Sequence, residues 1–337
     1  MEQSETDKPI WRPTNPHDRF CRRTAFHPLY APDFLKSYGD PVLRELVDLD
    51  HLQAAPTTHL SDELKEVIMD ASLMTRLLDT QSMSEILLHL EHKSKPSRAV
   101  ALQLLAEVGL SLHFRWFLDK RRESGTFVPP IPLMVVVYNG AEDWEGEIWF
   151  QDLFPDLPER LRPFVPQFRV FLINLRHFQY GNLPGRPETR AIAESMMRAT
   201  DGTFIDYLPG IFAHVAEADL AEPLRLDLTR SISSYGTYAA QATSEQIANA
   251  ISSVFKGQEA LKMIETIKNS FVLEGIEIGQ AKGKIETLLA FLYARFKSVP
   301  KHITDAISQM TDPIALDSLA TVVANSTSID EVADALK

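Results

Sequence analysis

A mixed β-sheet flanked by helices and followed by a helical C-terminal region is the α/β architecture that the sequence predicts. Three observations carry it. Two apolar runs, Val67–Leu78 and Ile86–Lys93, are split by the polar cluster Asp79-Thr80-Gln81-Ser82, the pattern of a β-hairpin. Two further β-rich runs, Ile131–Tyr138 and Phe168–Asn174, follow a long stretch of helical periodicity, as when parallel strands are joined through a covering helix. From about Ala191 onward the strand patterns vanish.

Taken in chain order, residues 1–16 are polar and hold three prolines, so they read as a flexible tail. Between His17 and Leu52, Phe20, Phe34, Leu35, Leu43, Leu46 and Val47 recur at helical spacing, and Pro28, Pro32 and Pro41 cut the run into short helices. The hairpin comes next. Ser94-Lys95-Pro96-Ser97 closes its second strand, and Ser97 is a candidate cap for a helix running from Arg98 to Phe117. Ile131–Tyr138 reads as a buried strand ended by Asn139-Gly140. These elements define an α/β domain over 17–200, a helical extension over 201–270 and a C-terminal helical module over 271–337. In the module, glycines spaced by four between Glu274 and Gly283 suggest either a close helix contact or a self-association seam, and hence a homo-oligomer.

Composition narrows the classes of function. Of 337 residues, 45% are hydrophobic, which is ordinary for a globular chain and excludes wholesale disorder. Uninterrupted apolar runs such as Leu133–Tyr138 fall far short of the roughly 20 residues of a membrane helix. The N-terminus lacks the apolar core of a signal peptide. A single Cys21 permits no internal disulfide and no cysteine zinc site; a buried thiol in a cytoplasmic protein is the expectation. The net charge of −12 argues against a nonspecific nucleic-acid coat. Residues 131–230 carry 9 basic and 15 acidic groups, whereas 1–130 carry 16 and 19, so a local basic surface beside the hairpin is compatible with the overall charge.

The hairpin also holds the chemistry. Asp70 interrupts an apolar run, and Glu91 and Lys93 stand two residues apart at the end of the next strand, on one face of it. If the strands pair, two carboxylates and an amine converge at one sheet edge. Mg²⁺ prefers such oxygen ligands and is typically held by one or two carboxylates with water and phosphate. It would activate a water for phosphodiester hydrolysis, with Lys93 orienting that water or offsetting transition-state charge. Without a metal the same three groups make an ordinary salt-bridged cluster. The buried Asp70 favours the former reading, since an unpaired buried carboxylate is costly.

Five ordered landmarks add to this reading: His17-Asp18-Arg19-Phe20, Ala31-Pro32-Asp33-Phe34-Leu35, the Asp70 strand, Leu90-Glu91-His92-Lys93-Ser94, and Pro132–Gly140 with Trp144. Together they resemble the Rpn (YhgA-like) family of recombination-promoting nucleases and transposase-like proteins, in the PD-(D/E)xK nuclease superfamily, over about residues 15–290. The resemblance implies a PD-(D/E)xK-type sheet and a Mg²⁺-dependent DNA endonuclease, with Mn²⁺ as a possible substitute, acting in recombination or on mobile elements. Asp70 and Glu91 fall on the metal-binding positions, and Lys93 restores the superfamily's E-x-K form where the family often has glutamine. Ala71-Ser72, Gln103 and Glu107 depart from the family pattern, although Gln103 also stands where some superfamily members use a supporting glutamine. Asp18 reads either as a supporting acid at the rim or as a helix cap with His17 stacking nearby. His92, on the opposite face, reads as a core histidine. Arg22, Arg23, Lys95 and Arg98 are candidates for DNA phosphates. Trp144, Trp149 and Phe150 read as packing aromatics. A nuclease-like domain that binds DNA or a protein without cutting is the alternative.

Overall fold

A computed structural model describes residues 15–55, 58–60, 66–68, 71–78, 84–118, 125, 127–144, 146–296, 298–310 and 313–336. Asp70, the N-terminal tail up to residue 14 and the basic cluster Lys120-Arg121-Arg122 lie outside them. The chain divides into two compact units.

The larger unit spans 12–59 and 66–264. It opens with three short helices, α1 (Pro16–Arg23), α2 (Ala31–Tyr38) and α3 (Pro41–Leu46). Each carries a proline in its first turn, where the missing N–H removes no intrahelical bond. Asn15 caps α1 and Asp40 caps α3.

The central six-stranded sheet has the order β1 (Gln53–Ala54), β4 (Ala71–Arg76), β5 (Glu85–Lys93), β6 (Ile131–Tyr138), β8 (Arg169–Asn174), β7 (Ile148–Trp149). β4 and β5 form the expected antiparallel hairpin, in register from Ala71↔Leu90 to Arg76↔Glu85. β5, β6 and β8 run parallel, and the two-residue edge strands β1 and β7 pair antiparallel to their neighbours. The sheet is mixed, as predicted. One part of the hairpin differs: the apolar run from Val67 does not form one strand. Its first part, β3 (Glu66–Ile68), pairs with β2 (Thr58–Leu60) in a separate two-stranded sheet. Segments of two or three residues are too short to show a period, so β1, β2, β3 and β7 were not predictable as separate strands.

The long helix α4 (Val100–Leu118) covers one sheet face. It begins a few residues after Ser97, whose carbonyl accepts from Val100 N–H. Its Val100, Leu104 and Val108 pack against Met134, Val136 and Tyr138 of β6, Val170 of β8, and Trp144, Ile148 and Phe150. The other face receives α1 and α5 (Pro187–Asp201); Cys21 of α1, fully buried, lies 3.8 Å from the Met196 sulfur of α5. Burial on both faces explains why β5 and β6 read as near-continuous apolar runs. The helices α6 (Phe204–Glu217), α7 (Glu222–Ala239) and α8 (Ser244–Val254) follow in the same unit. Gly236 of α7 lets the Phe204 ring approach so closely that any Cβ there would overlap it.

The smaller unit contains residues 265–337, with most of α9 (Gly257–Phe296) and with α10 (Lys301–Gln309), α11 (Pro313–Asn325) and α12 (Ile329–Ala335). The C-terminal region is helical, as predicted. Its helices close a core of their own around Leu288, Leu292, Ile303, Ile307, Leu319 and Val323. Arg295 of α9 donates to the carbonyls of Ala324 and Ser326 at the end of α11, a favourable position for a cation at a helix C-terminus. No helix among the described residues is long and apolar enough to cross a membrane.

Candidate active site

Because side chains alternate along β5, the last three residues of the strand are divided between two environments. Glu91 and Lys93 point to the α4 face, and His92 points to the α1 face.

On the α4 face, Lys93 Nζ donates to Glu91 Oε1 at 2.7 Å and to Gln103 Oε1 at 2.9 Å. Gln103, one turn into α4, donates through Nε2 to Glu91 Oε1 and to Glu107 Oε1, both at 2.8 Å. The Gln103 amide therefore has one orientation: its nitrogen faces two carboxylates and its oxygen an ammonium. Glu91 is 6% exposed, as is Glu107. The Lys93 side chain keeps 22% of its surface, at the open end of the strand. Behind this cluster on the same face, Ser72 Oγ lies 3.1 Å from His89 Nδ1 across the β4·β5 pair. The structure thus joins Glu91, Lys93 and the expected supporting residue Gln103.

Glu107 was noted in the sequence only as a departure from a family pattern. Its place here follows from helix geometry, since positions four apart share a helix face. That spacing from Gln103 was the signal available in the sequence.

On the α1 face, His92 Nδ1 lies 2.6 Å from Asp18 Oδ1 and His92 Nε2 lies 2.7 Å from Asn139 Oδ1. Asn139 Nδ2 donates to the Met196 carbonyl at 3.0 Å, which orients the amide so that its oxygen meets His92. Both histidine nitrogens face side-chain oxygens. His17 stacks on His92 with ring centroids 5.7 Å apart and contacts the Tyr235 hydroxyl at 2.7 Å. Burial, reinforced by the neighbouring His92 and opposed by Asp18, lowers the His17 pKa to about 4. Burial also pushes the Tyr235 phenol well up.

Asp18 is therefore neither a rim acid nor a helix cap. Its carboxylate is engaged with His92 on the far side of β5, and Asn15 takes the capping position. His92 is the core histidine expected, at 3% exposure. Trp144 and Phe150 are core aromatics as expected.

The candidate phosphate contacts divide likewise. Lys95 and Arg98 are exposed on the connection between Lys93 and α4. Arg22 and Arg23 end α1, which packs on the opposite sheet face.

Carboxylate and amide oxygens suit a hard divalent cation. Glu91 and Glu107 have oxygens no more than 5.6 Å apart, each lying 2.8 Å from the same amide nitrogen. Among the described residues no group of three or more His, Cys, Asp or Glu side chains is arranged to hold a metal.

A family model described as "Putative transposase, YhgA-like" matches residues 15–221. The chain belongs to the YhgA-like transposase family. The match spans more than half of the chain and includes both faces of the β5 tip. Comparison with curated proteins and with solved structures finds no match.

Proposed function

We propose that the protein is a Mg²⁺-dependent DNA endonuclease acting in recombination or on mobile elements, with the Glu91-Lys93-Gln103 cluster as part of its active site. The observation that carries the reading is the convergence of a nearly buried carboxylate and a partly exposed amine at one strand end, both held by a glutamine of the covering helix.

Glu91, with Asp70, would hold Mg²⁺ or Mn²⁺. The ion would supply Lewis acidity toward the phosphodiester and acidify a water. The chain's own residues do the rest. Lys93 Nζ, at the open end of β5, would orient or deprotonate the attacking water, or offset charge developing on phosphorus. Gln103 holds the Glu91 carboxylate and the Lys93 amine in one geometry, and Glu107 holds the Gln103 amide. Lys95 and Arg98, exposed beside this cluster, would position the strand through its phosphates. Cytoplasmic DNA as substrate agrees with the absence of a membrane-length helix among the described residues.

A second reading is a nuclease-like domain that binds DNA or protein without cutting. It is favoured by the Lys93 amine being taken up by Glu91 and Gln103.

Incubation of purified protein with supercoiled plasmid and Mg²⁺ or Mn²⁺ separates the two. Wild type should nick and linearise, and Asp70→Ala and Lys93→Ala should each lower the rate by orders of magnitude. Equal nicking by all three proteins would assign the cleavage to a contaminant or another site, and no nicking by folded wild type would favour the binding module.

A further inference from the structure

A cavity of about 380 Å³ opens at the carboxyl edge of the parallel strands, a volume within the range of small-ligand sites. Its floor is the chain leaving β6 at Asn139-Gly140 and the chain leaving β8 at Leu175-Arg176, and its walls are formed by Tyr180 and by Thr200 and Asp201 of α5. It does not share a residue with the Glu91 cluster.

Its chemistry is specific. Tyr180 forms a fixed aromatic wall, because the Arg198 guanidinium sits 3.5 Å from its ring centroid and 3.4 Å from that of Tyr207. The Arg198 side chain is buried and anchored to Glu194. One face of the Tyr180 ring is thereby backed by a cation, while the residue as a whole remains 38% exposed. Beside it, Asp201 accepts the Tyr180 hydroxyl on Oδ2 and both Thr203 donors on Oδ1. A carboxylate has about four acceptor sites, so Oδ2 has capacity for one more donor from a ligand in the cavity. Hydrogen bonds from Thr203 and Tyr180, against the opposing effect of burial, hold the Asp201 carboxyl below its usual range, so it is ionised. At the rim, Arg176 is tied to the carbonyls of Gly140 and Ala141, pairs at 3.3 Å with the exposed Asp143, which a phosphate would displace, and keeps 42% of its side chain exposed. An aromatic plane, a carboxylate acceptor at its edge and a cation at the mouth match a planar base with an exocyclic amine and a neighbouring phosphate.

We propose that this cavity is a nucleobase site selective for bases that carry an exocyclic amine. Adenine, cytosine and guanine present such an amine and thymine does not. The occupant is a base of the bound DNA strand, an assignment that rests on the nuclease reading, or of a free nucleotide with the same chemistry.

The two sites lie at the same edge of the sheet. Lys93 pairs with Tyr138 and Tyr138 pairs with Asn174, and the chain leaving β6 beside Lys93 is the first part of the cavity floor. The Glu91 cluster faces α4 and the cavity faces α5, so a strand that reaches both turns over this edge. Asn139, on the cavity floor, also donates its N–H to the Lys93 carbonyl, so both sites share one stretch of backbone.

The test uses the full chain without divalent metal, so that nothing is cut. Fluorescence anisotropy with labelled single strands of deoxycytidine and of deoxyuridine, 15 nucleotides each, compares two bases of the same shape, one with the 4-amine and an N3 acceptor, the other with a 4-carbonyl and an N3–H. The cytosine strand should bind roughly tenfold tighter, as for loss of a hydrogen bond to a charged group. Thr200→Phe, which fills the cavity, should abolish the preference. Tyr180→Ala, which removes the wall, should weaken cytosine binding by a similar factor, so that a folding defect in one variant leaves the other. Calorimetry with dCMP and dUMP identifies the source: dCMP binding as tight as the strand marks a free nucleotide, and much tighter strand binding marks the DNA; either supports the base site. Equal affinity of the two strands, or a cytosine preference that survives in both folded variants, overturns the proposal. Failure of plasmid cleavage would not, because this assay reads binding alone.

Discussion

His17 makes folding stability depend on pH between about 4 and 6.5. Its pKa falls from 6.5 to about 4 because the ring is buried, with the neighbouring His92 adding to the effect and Asp18 opposing it. Above pH 6.5 the ring is neutral in both the folded and the unfolded chain, and it contributes nothing to pH dependence. As the pH falls from 6.5 toward 4 the unfolded chain takes up the proton and the folded chain does not, so stability is lost; below 4 the loss levels off. At 1.36 kcal/mol per pKa unit the full effect is about 3 kcal/mol, with about 1.4 kcal/mol of it reached at pH 5.5 and about 2.5 kcal/mol at pH 4.5. His17→Gln retains an acceptor for the Tyr235 hydroxyl and cannot titrate. Urea unfolding followed by tryptophan fluorescence, in which the core residue Trp144 reports on the larger unit, should be run on both proteins at pH 7.5, 5.5 and 4.5. The wild type should lose about 2.5 kcal/mol more than the variant between the extremes. A difference under about 0.5 kcal/mol would refute the assignment of a neutral, buried His17, since it would mean that its folded and unfolded pKa values nearly coincide.

Three other outcomes can be measured. Gly140→Ala should cost about 1–3 kcal/mol in a chemical denaturation series, because a Cβ there would overlap the Ser94 carbonyl and the Tyr138 ring at the end of the site-bearing strands; no loss would mean that the strand ends are loosely packed. Mg²⁺ at 100 times its Kd should stabilise wild type by about 2.7 kcal/mol in thermal melts and leave Glu91→Gln unshifted, and equal shifts in both proteins would remove Glu91 from the metal site. Replacing Lys95 and Arg98 together with alanine should lower the slope of log K against log salt for DNA by about 1.8, one phosphate each; an unchanged slope would place the DNA elsewhere.

The hairpin, the buried strand Ile131–Tyr138 and the helical C-terminal region are local in origin, and they were legible because period and turn chemistry are written into contiguous residues. The same holds for Glu91 and Lys93, two residues apart on one strand, whose shared face follows from alternation alone. Gln103 could be named from its place in a motif, yet its two donated hydrogen bonds depend on where α4 lies over the sheet. Glu107 acquires its role only through that contact. Asp18 shows the reverse case. Its neighbour in sequence is a stacking histidine, but the residue that engages it, His92, is 74 positions away, and no local pattern reports which sheet face a preceding helix will cover.

By itself, then, the sequence determined the sheet's main strands, the two-residue spacing that brings a carboxylate and an amine to one strand end, and the family resemblance. Tertiary structure decided which partners those groups meet: Gln103 and Glu107 on one side of β5, Asp18, His17 and Asn139 on the other. It also formed the Tyr180–Asp201 cavity, whose walls come from the ends of two strands and a helix. The reason is physical. Secondary structure follows from backbone sterics and side-chain period within a dozen residues, whereas a site is an arrangement of side chains that only packing across the sheet brings together.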